Sequence, residues 1–449
     1  MARSPVAENL VNQLARGPAG APELVRALGI SQPTLSRAIA AMQREGRVIR
    51  IGTTRGARYG LSRPVGTIGS RWPLFRVDEN GRLIELGPLH ALERNLYYLP
   101  RGAGRLRGIT EGIPYFLQDA RPSGFLGRAI PRAFTELALP PRIIDWTDEH
   151  FLSYLTLRAP DNVGDLILGE GSVERYMARS HESQVVSASE RPSRYAVMAA
   201  SAMEGAPAGS SAQGEQPKFL VQVDEARRRT HMLVKFSPPR TSEAGQRWVD
   251  LLLAEHLAHE LLARAGLPSC RSSWFLFGER AYLEVVRFDR RGMEGRRGAV
   301  SLYAVDLARY GRLDTWSECA RRLEAEGLLS TEDSARIRLL DVFAQLIANS
   351  DRHFGNITLF DHYEGPFELA PVYDMLPMLF APQHDQVIER RYEPAPPNAA
   401  SLPVWSRART LAEEYWALLA DDTRLSRPFR SLCARCLEAL RALSVRGLN

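Results

Sequence analysis

Lysine is almost missing from this 449-residue chain: Lys218 and Lys235 stand against 56 arginines. So lopsided a ratio makes each of the two a candidate for a task that suits a compact ammonium better than a guanidinium fork, such as holding α/β-phosphates. Cysteine is scarce too, with four residues, which excludes a disulfide framework and agrees with a reducing compartment. Cys270 and Cys319 are isolated, and the lone C-x-x-C of Cys433 and Cys436 lacks a second ligand pair at zinc spacing, so it reads as two helical cysteines near a core. No apolar run reaches the ~18 residues of a bilayer span, and "MARSPVAENLVNQLARG" lacks the apolar middle of a secretory signal. A cytoplasmic protein with no membrane partner is the expectation.

What is present is an ordinary globular composition, 45% hydrophobic and 24% charged, at a length that allows about two or three domains with their own cores. The charge is uneven. Residues 1–63 hold ten Arg, no Lys and three Glu (Glu8, Glu23, Glu45), a balance of +7, so the other 386 residues sum to −1 within the chain's net +6.

That basic segment predicts helix, helix, turn, helix and hairpin. "PVAENLVNQLA" and "APELVRALG" carry apolar residues at helical spacing, and Gly29 closes the second as a C-cap. "SQPTLSRAIAAMQREG" opens with Ser31 as N-cap and Pro33 in the first turn, keeping Leu35, Ile39 and Met42 on a buried face and Gln32, Thr34, Ser36 and Arg37 outward. "RVIRIGTTRGARYGL" then gives two short strands about a glycine-containing tip, with Arg47, Arg50, Arg55 and Arg58 along it. Residues 1–65 thus resemble a winged helix-turn-helix, with DNA as partner: the third helix reads the major groove and the wing, through Arg55 and Arg58, touches phosphates. A module used only for protein contacts is the other reading.

After Pro64 the composition shifts, and "RWPLFRVDENGRLIEL" predicts a strand, a turn at Asn80-Gly81 and a second strand. "AVMAASAMEGAPAGSSAQGEQPK", Ala196 to Lys218, approaches low complexity and is small and flexible in its middle; a generic linker is its bland reading. It feeds into two alternating strands, "FLVQVDEARRRTHMLVKFS", and a mobile Gly/Ser loop ahead of strands is how kinases cover nucleotide phosphates with backbone N–H groups. Lys235 ends the second strand. Next, "RWVDLLLAEHLAHELLARAGLP" is strongly helical and capped near Gly266, offering Glu255 and Glu260 as partners for that lysine.

In "LIANSDRHFGNITLF", Asp351 and Asn356 reproduce the D-x-x-x-x-N spacing of a kinase catalytic loop, where the Asp accepts the substrate hydroxyl's proton and the Asn oxygen ligates Mg²⁺. "VFAQLIA" anchors that loop in the core, and "FELAPVYDMLP" supplies Asp374 after a short strand, where a second, metal-binding Asp belongs. His256 and His259 lack zincin spacing. His353 packs the catalytic loop.

On "NSDRHFGN", "PVYDML", "EVVRFDR", "GEQPKF" and "YFLQDARPSGFLGR", the chain resembles the HipA-like serine/threonine kinases of bacterial toxin–antitoxin systems over about residues 70–449. The fused N-terminal winged helix is similar to the YjjJ-type subgroup. The resemblance implies Asp351 as catalytic base, Asn356 and Asp374 as Mg²⁺ ligands, Lys235 on the ATP phosphates, and the backbone of Gln213, Gly214, Glu215, Gln216, Pro217 and Lys218 over them. It also implies an adenine hinge in "VVRF", with Val286, Arg287 and Phe288, together with His353 and Tyr373 in the ATP site. It matches the helix Glu to Glu255 and not Glu260, and places autophosphorylation at Ser211, with Ser210 one residue off in register. Two departures stand out: Val286 replaces an acidic residue before Arg-Phe, and "RRGAVSLYAVDLARYG" lacks the His-x-Glu-Asp-like signature usual after the hinge.

The expected architecture is α/β of the α+β kind: a winged helix-turn-helix (1–65), a kinase N-terminal lobe (66–288) and a mostly helical C-terminal lobe (289–449). The expected function is transfer of the ATP γ-phosphate to a protein Ser or Thr, with ATP and Mg²⁺ as cofactors. Implied partners are DNA, a possible antitoxin and a translation component such as an aminoacyl-tRNA synthetase. The rival readings are a transcriptional regulator whose kinase-like domain senses a ligand without catalysis, and a small-molecule kinase.

Overall fold

The computed structural model describes residues 5–53, 56–178, 185–204, 216–225 and 228–443. The chain opens with helix α1 (Pro5–Leu14), a two-residue strand β1 (Ala19–Gly20), helices α2 (Ala21–Leu28) and α3 (Gln32–Arg44), and strands β2 (Val48–Ile51) and β3 (Arg58–Leu61). The apolar spacing seen in the sequence becomes one core: Leu10, Leu14, Leu24, Leu35, Ile39 and Met42 are all buried together. Local chemistry sets the helix ends. Gly29 ends α2 at φ 62, a left-handed conformation in which a side chain is disfavoured. Ser31 caps α3 by accepting the Thr34 N–H. Strand β1 had no signal in the sequence; it pairs with β3 and gives the sheet order β1-β3-β2.

The second unit is an antiparallel sheet of β4 (Arg71–Val77), β5 (Leu83–Leu92), β6 (Leu96–Leu99), β7 (Gly108–Glu111) and β8 (Leu166–Leu168), in the order β7-β6-β5-β4-β8. The expected turn forms at Asn80-Gly81: the Asp78 carboxylate accepts the N–H groups of Asn80 and Arg82, both at 2.9 Å, and Gly81 takes φ 80. Three one-turn helices, α4 (Tyr115–Gln118), α5 (Gly124–Gly127) and α6 (Ile130–Ala133), precede α7 (Asp148–Arg158), and α8 (Glu170–Ala178) follows β8. Phe151, Leu152 and Leu155 of α7 cover Trp72, Leu74 and Tyr97 of the sheet.

A separate sheet comes next, from β9 (Val185–Ser187), β10 (Lys218–Glu225), β11 (Arg228–Phe236), β12 (Ser272–Phe277) and β13 (Arg280–Val286), ordered β12-β13-β11-β10-β9. Residues 66–288 therefore hold two five-stranded sheets, each with its own core. Helix α9 (Arg191–Glu204) takes up the first nine residues of the Ala196–Lys218 stretch read as low complexity. Alanine and methionine favour helix, and Tyr195 and Ala199 bury against Phe219, Val234 and Phe236. Helix α10 (Glu243–Arg264) lies between this sheet and the rest: Val249 and Leu252 meet Leu283 and Val285, while Trp248, Leu257 and Leu261 join the largest core. Packing against two cores explains why apolar residues occupy most of this helix.

The final third runs through a small hairpin, β14 (Arg290–Arg291) and β15 (Gly295–Arg296), then β16 (Ala299–Ser301), α11 (Leu302–Arg309), α12 (Trp316–Ala325), α13 (Thr331–Leu346), β17 (Thr358–Phe360), β18 (Glu368–Leu369), α14 (Leu402–Asp421) and α15 (Arg427–Ala442). Its core is built on Trp316, Phe343, Tyr415, Trp416 and Phe429. Cys433 and Cys436 lie buried on α15, and burial pushes the Cys436 thiol up to about 12. Among the described residues no group of three His, Cys, Asp or Glu side chains could hold a metal, and no helix is long and apolar enough to cross a membrane.

Candidate functional site

The two lysines fall on adjacent strands, with Lys218 at the start of β10 paired in register with Lys235 near the end of β11. Lys235 is buried and reaches across to α10, where its Nζ donates to both oxygens of Glu255 at 2.6 and 2.7 Å; it also bonds Asp374 Oδ1. Geometry decides between the two candidate glutamates. Five residues along a helix is about 140° around its axis, so with Glu255 facing inward Glu260 faces out. Glu260 is half exposed, and its ion pair among the described residues is with His256, at 3.7 Å. Burial would lower the Lys235 pKa, but the carboxylates of Asp374 and Glu255 outweigh it and raise it. Burial would likewise push the Asp374 carboxyl up, yet Lys235 and Lys218 hold it down to about 2.

Asp374 sits at φ 55, in the left-handed region, and its N–H donates to Glu255 Oε1 at 3.2 Å. The strand-like segment before it is pinned by the Cys270 N–H, which donates to the Val372 carbonyl at 3.0 Å. Asn349 ties this loop to the one carrying Asp351: its Nδ2 donates to the Asp374 carbonyl at 2.9 Å, and its Oδ1 accepts the Asp351 N–H at 3.0 Å. The sequence reading passed over Asn349, although a polar residue closing the run "VFAQLIA" was a usable signal. Asn356 closes the loop by donating Nδ2 to the Asp351 carbonyl at 2.7 Å, which leaves its side-chain oxygen for other work. The Asp351 carboxylate is 55% exposed, within reach of a large acceptor.

His353 bonds within and beside its loop. Its Nδ1 accepts the Gly355 N–H at 3.1 Å, and its carbonyl accepts from Trp316 Nε1 at 3.1 Å. Tyr373 lies under the same loop, its hydroxyl 2.8 Å from both the Gly355 carbonyl and Thr358 Oγ1, and its ring stacks on Phe288 at 5.9 Å. Pro217 and Gln216 lie over the end of β11: the Phe236 N–H donates to the Pro217 carbonyl at 3.0 Å, and the Gln216 amide donates to the Phe236 carbonyl. Ser211, Gln213, Gly214, Glu215 and Arg55 lie outside the described residues.

Two hinge positions do not join the cluster. The Val286 N–H is used by the Arg271 carbonyl and the Arg287 N–H by the His231 carbonyl, both at 2.9 Å, so neither is free for a base. The Arg287 guanidinium turns to the buried Asp289 at 3.0 Å and to the more exposed Asp161 at 3.4 Å, because a buried carboxylate there needs a cation. The acidic group missing at 286 has a neighbour in Glu284, which is buried against Arg191 at 2.7 Å and the Tyr195 hydroxyl at 2.5 Å. On α3, Gln32, Ser36 and Arg37 are exposed, as expected. Thr34 is half-buried with its hydroxyl 2.9 Å from Ser31 Oγ, so it completes the cap instead of facing outward. Arg58 is exposed, with one of its five donors occupied by the Pro18 carbonyl.

Acid should loosen this arrangement. Burial would raise Asp289, but Arg287 and Arg290 hold it down to about 2, as Lys235 and Lys218 do Asp374. With folded values below the unfolded ~3.9, the stability from these two carboxylates is complete above about pH 4 and is lost as pH falls through about 2, on the order of 2 kcal/mol each. Denaturant midpoints followed by circular dichroism from pH 5 to 2 should show the loss, and Asp289→Asn should flatten it; equal slopes would refute the assignment.

Residues 68–177 match the model of the middle domain of YjjJ-like toxins, and residues 210–442 match that of the HipA-like C-terminal domain. Toxin YjjJ of Escherichia coli (strain K12) is 36% identical over 441 residues, covering 97% of each chain. Among solved structures, HipA in the Shewanella oneidensis MR-1 toxin–antitoxin complex with HipB and its operator DNA aligns with 82% of this chain and 95% of its own at 13% identity and a TM-score of 0.48. The Helicobacter pylori proinflammatory kinase CtkA aligns with 49% of this chain and 86% of its own, at 12% identity and a TM-score of 0.36. With one family model spanning more than half of the chain and a full-length relative at 36% identity, the protein belongs to the HipA-like toxins of the YjjJ type.

Proposed function

We propose that this toxin is an ATP-dependent serine/threonine protein kinase fused to a DNA-binding winged helix-turn-helix, with modules at 1–65, 66–288 and 289–449. The observation that carries the reading is the buried Lys235, held by both oxygens of Glu255 and touching Asp374. A strand lysine fixed by a helix glutamate is the part of a kinase that positions the nucleotide phosphates. The Glu255 side chain is 1% exposed and that of Asp374 30%, so the contact to Asp374 is the one that opens toward a ligand.

Asp374 and the side-chain oxygen of Asn356 are hard donors that suit Mg²⁺, an ion that takes one or two carboxylates plus substrate phosphates. Mg²⁺ held there supplies neutralisation of charge on the transferring phosphoryl group. Asp351 accepts the proton of the acceptor hydroxyl, Asn349 and Asn356 hold its loop in place, and the Phe288–Tyr373 stack offers an aromatic wall to the purine. The family resemblance further implies a translation component, such as an aminoacyl-tRNA synthetase, as substrate and a separate antitoxin as partner. ATPγS labelling of the purified protein with and without cell extract tests the reading. Label on protein supports it, label confined to small molecules favours a small-molecule kinase, and no label favours a ligand-sensing regulator.

For the N-terminal module, the exposed Gln32, Ser36 and Arg37 of α3 would read bases while Arg58 of the hairpin, together with Arg55, would meet phosphates. The protein should bind duplex DNA with log K falling by about 0.9 per log unit of salt for each phosphate neutralised. Arg55→Ala and Arg58→Ala should weaken binding on all sequences alike, whereas Arg37→Ala should change sequence preference. A gel-shift series showing no DNA affinity at low salt would instead favour a protein-contact module.

Self-regulation is the remaining part of the reading. Phosphorylation of Ser211 adds roughly −1.5 to −2 charges, which would compete with ATP for Lys218 and Lys235. Ser211 should become phosphorylated during incubation with Mg²⁺·ATP, the modified protein should bind ATP poorly, and Ser211→Ala should stay active longer. Mass spectrometry placing phosphate elsewhere, or on Ser211 with ATP affinity unchanged, would refute this.

A further inference from the structure

Two histidines, His256 and His259, lie one turn apart on the α10 helix that carries Glu255, and the kinase chemistry proposed above uses neither. Ser272, at the start of β12, joins them: its hydroxyl oxygen is 2.9 Å from His256 Nδ1 and 3.0 Å from His259 Nδ1. The far nitrogen of each ring faces a glutamate at 3.7 Å, Glu260 for His256 and Glu255 for His259. A chain of polar groups thus runs from the surface to the Lys235 pair. Its inner end is closed, since the side chains of His259 and Glu255 are each 1% exposed, whereas that of Glu260 is 50% exposed.

His259 Nε2 is buried and has no hydrogen-bond partner among the described residues. At 3.7 Å its contact with Glu255 Oε1 is too long for a hydrogen bond, so its sign depends on which ring nitrogen carries the proton. Burial and the Lys235 charge lower the His259 pKa to about 3, which keeps the ring neutral. With the proton on Nδ1, a lone pair would face a buried carboxylate, and the two repel. Lys235 cannot relieve this, because its three N–H groups are spent on the two oxygens of Glu255 and on Asp374. With the proton on Nε2, an N–H dipole points at the carboxylate instead, and Ser272 donates its hydroxyl proton to Nδ1. Having one proton, Ser272 then accepts from the His256 Nδ1–H, and the bare nitrogen is moved to the Glu260 end, where solvent screens it. The buried end carries the larger penalty, so it sets both tautomers.

We infer that His259, held by Ser272 with its proton on Nε2, is a positioning residue that keeps Glu255 aimed at Lys235 and so orients the ammonium for phosphoryl transfer; its value to catalysis rests on the kinase reading above. Glu255 Oε1 already accepts Lys235 Nζ at 2.6 Å and the Asp374 N–H at 3.2 Å, and a third positive dipole on the same oxygen fixes the rotation of the carboxylate. His259 acts through Glu255 and touches no reacting atom.

Nitrogen NMR of the nucleotide-free full chain tests the placement without any activity. Imidazole-labelled protein should show His259 as the Nε2–H tautomer, and lysine-labelled protein offers two Nζ signals because the chain has two lysines. Lys218→Arg, which leaves one lysine, identifies the Lys235 signal. His259→Asn keeps a polar group beside Ser272 but is too short to reach Glu255, so it should shift that signal and lower phosphoryl transfer about fivefold, the scale of one hydrogen bond. His259→Gln returns an N–H near the Nε2 position and should restore both. Ser272→Ala, a milder change at a half-buried strand residue, should move the Lys235 signal in the same direction as His259→Asn. A His259 proton on Nδ1, an unshifted Lys235 signal in His259→Asn, or a Gln variant no better than the Asn variant would overturn the inference. The expected shifts in a protein whose wild type transfers no phosphate would instead end the kinase reading and leave the placement of Lys235 by His259 standing.

Discussion

Asp351→Asn should lower phosphoryl transfer about 10²- to 10⁴-fold, the usual contribution of a positioned general base, while ATP affinity stays near that of the wild type. The reason lies in where the carboxylate sits. It is 55% exposed at the mouth of its loop, and the loop is held through backbone groups: Asn349 accepts the Asp351 N–H and Asn356 donates to the Asp351 carbonyl. Changing the side chain to an amide leaves both bonds intact, so the loop keeps its shape and only the proposed proton acceptor is lost. Asp374→Asn should behave differently, weakening Mg²⁺·ATP binding as well as turnover, because it removes the charged donor proposed for Mg²⁺ and a partner of Lys235. Fluorescent-nucleotide titration beside a labelling assay separates the two. Undiminished turnover in the Asp351 variant would end its assignment as base.

The second large effect concerns the buried pair. Glu255→Ala should cost about 3 kcal/mol or more of folding stability, since removing one partner of a buried ion pair leaves the other charge uncompensated. Lys235 would retain Asp374, but the Asp374 N–H would lose its acceptor and His259 its carboxylate neighbour at 3.7 Å. Lys235→Met should be comparably harmful, because Glu255 and Asp374 would then face each other without a cation between them. In Lys235→Met/Glu255→Leu, an apolar replacement of the pair, stability should largely return while transfer remains absent. That contrast distinguishes a catalytic lysine from a structural one. Denaturant unfolding and ATPγS labelling on the three variants provide the readout; transfer by the double variant, or losses that simply add, would contradict the assignment.

How much of this was visible in the residue order depends on the range of each interaction. Ser31 and Gly29 act on groups within four residues, so the ends of α2 and α3 could be written down from their letters. Apolar spacing likewise foretold the core of the first module and the β10–β11 pair. The D-x-x-x-x-N spacing between Asp351 and Asn356 is also local, and the bond from the Asn356 amide to the Asp351 carbonyl explains why that spacing matters.

Longer-range features were a different matter. Lys235 and Glu255 are 20 residues apart and Lys235 and Asp374 are 139 apart, so their meeting depends on a sheet, a helix and a loop arriving together. Motif order suggested the set, while only the turn of α10 separated Glu255 from Glu260. Three features lacked a local signal: strand β1, which exists through its pairing with β3; the second five-stranded sheet within 66–288; and Arg287, which turns away from the site. Asp161 lies 126 residues from Arg287 and 129 from Arg290, and no periodicity connects them. A lone basic residue in a sequence has many possible partners; packing leaves it one or two, as it does for Arg287 and Arg290.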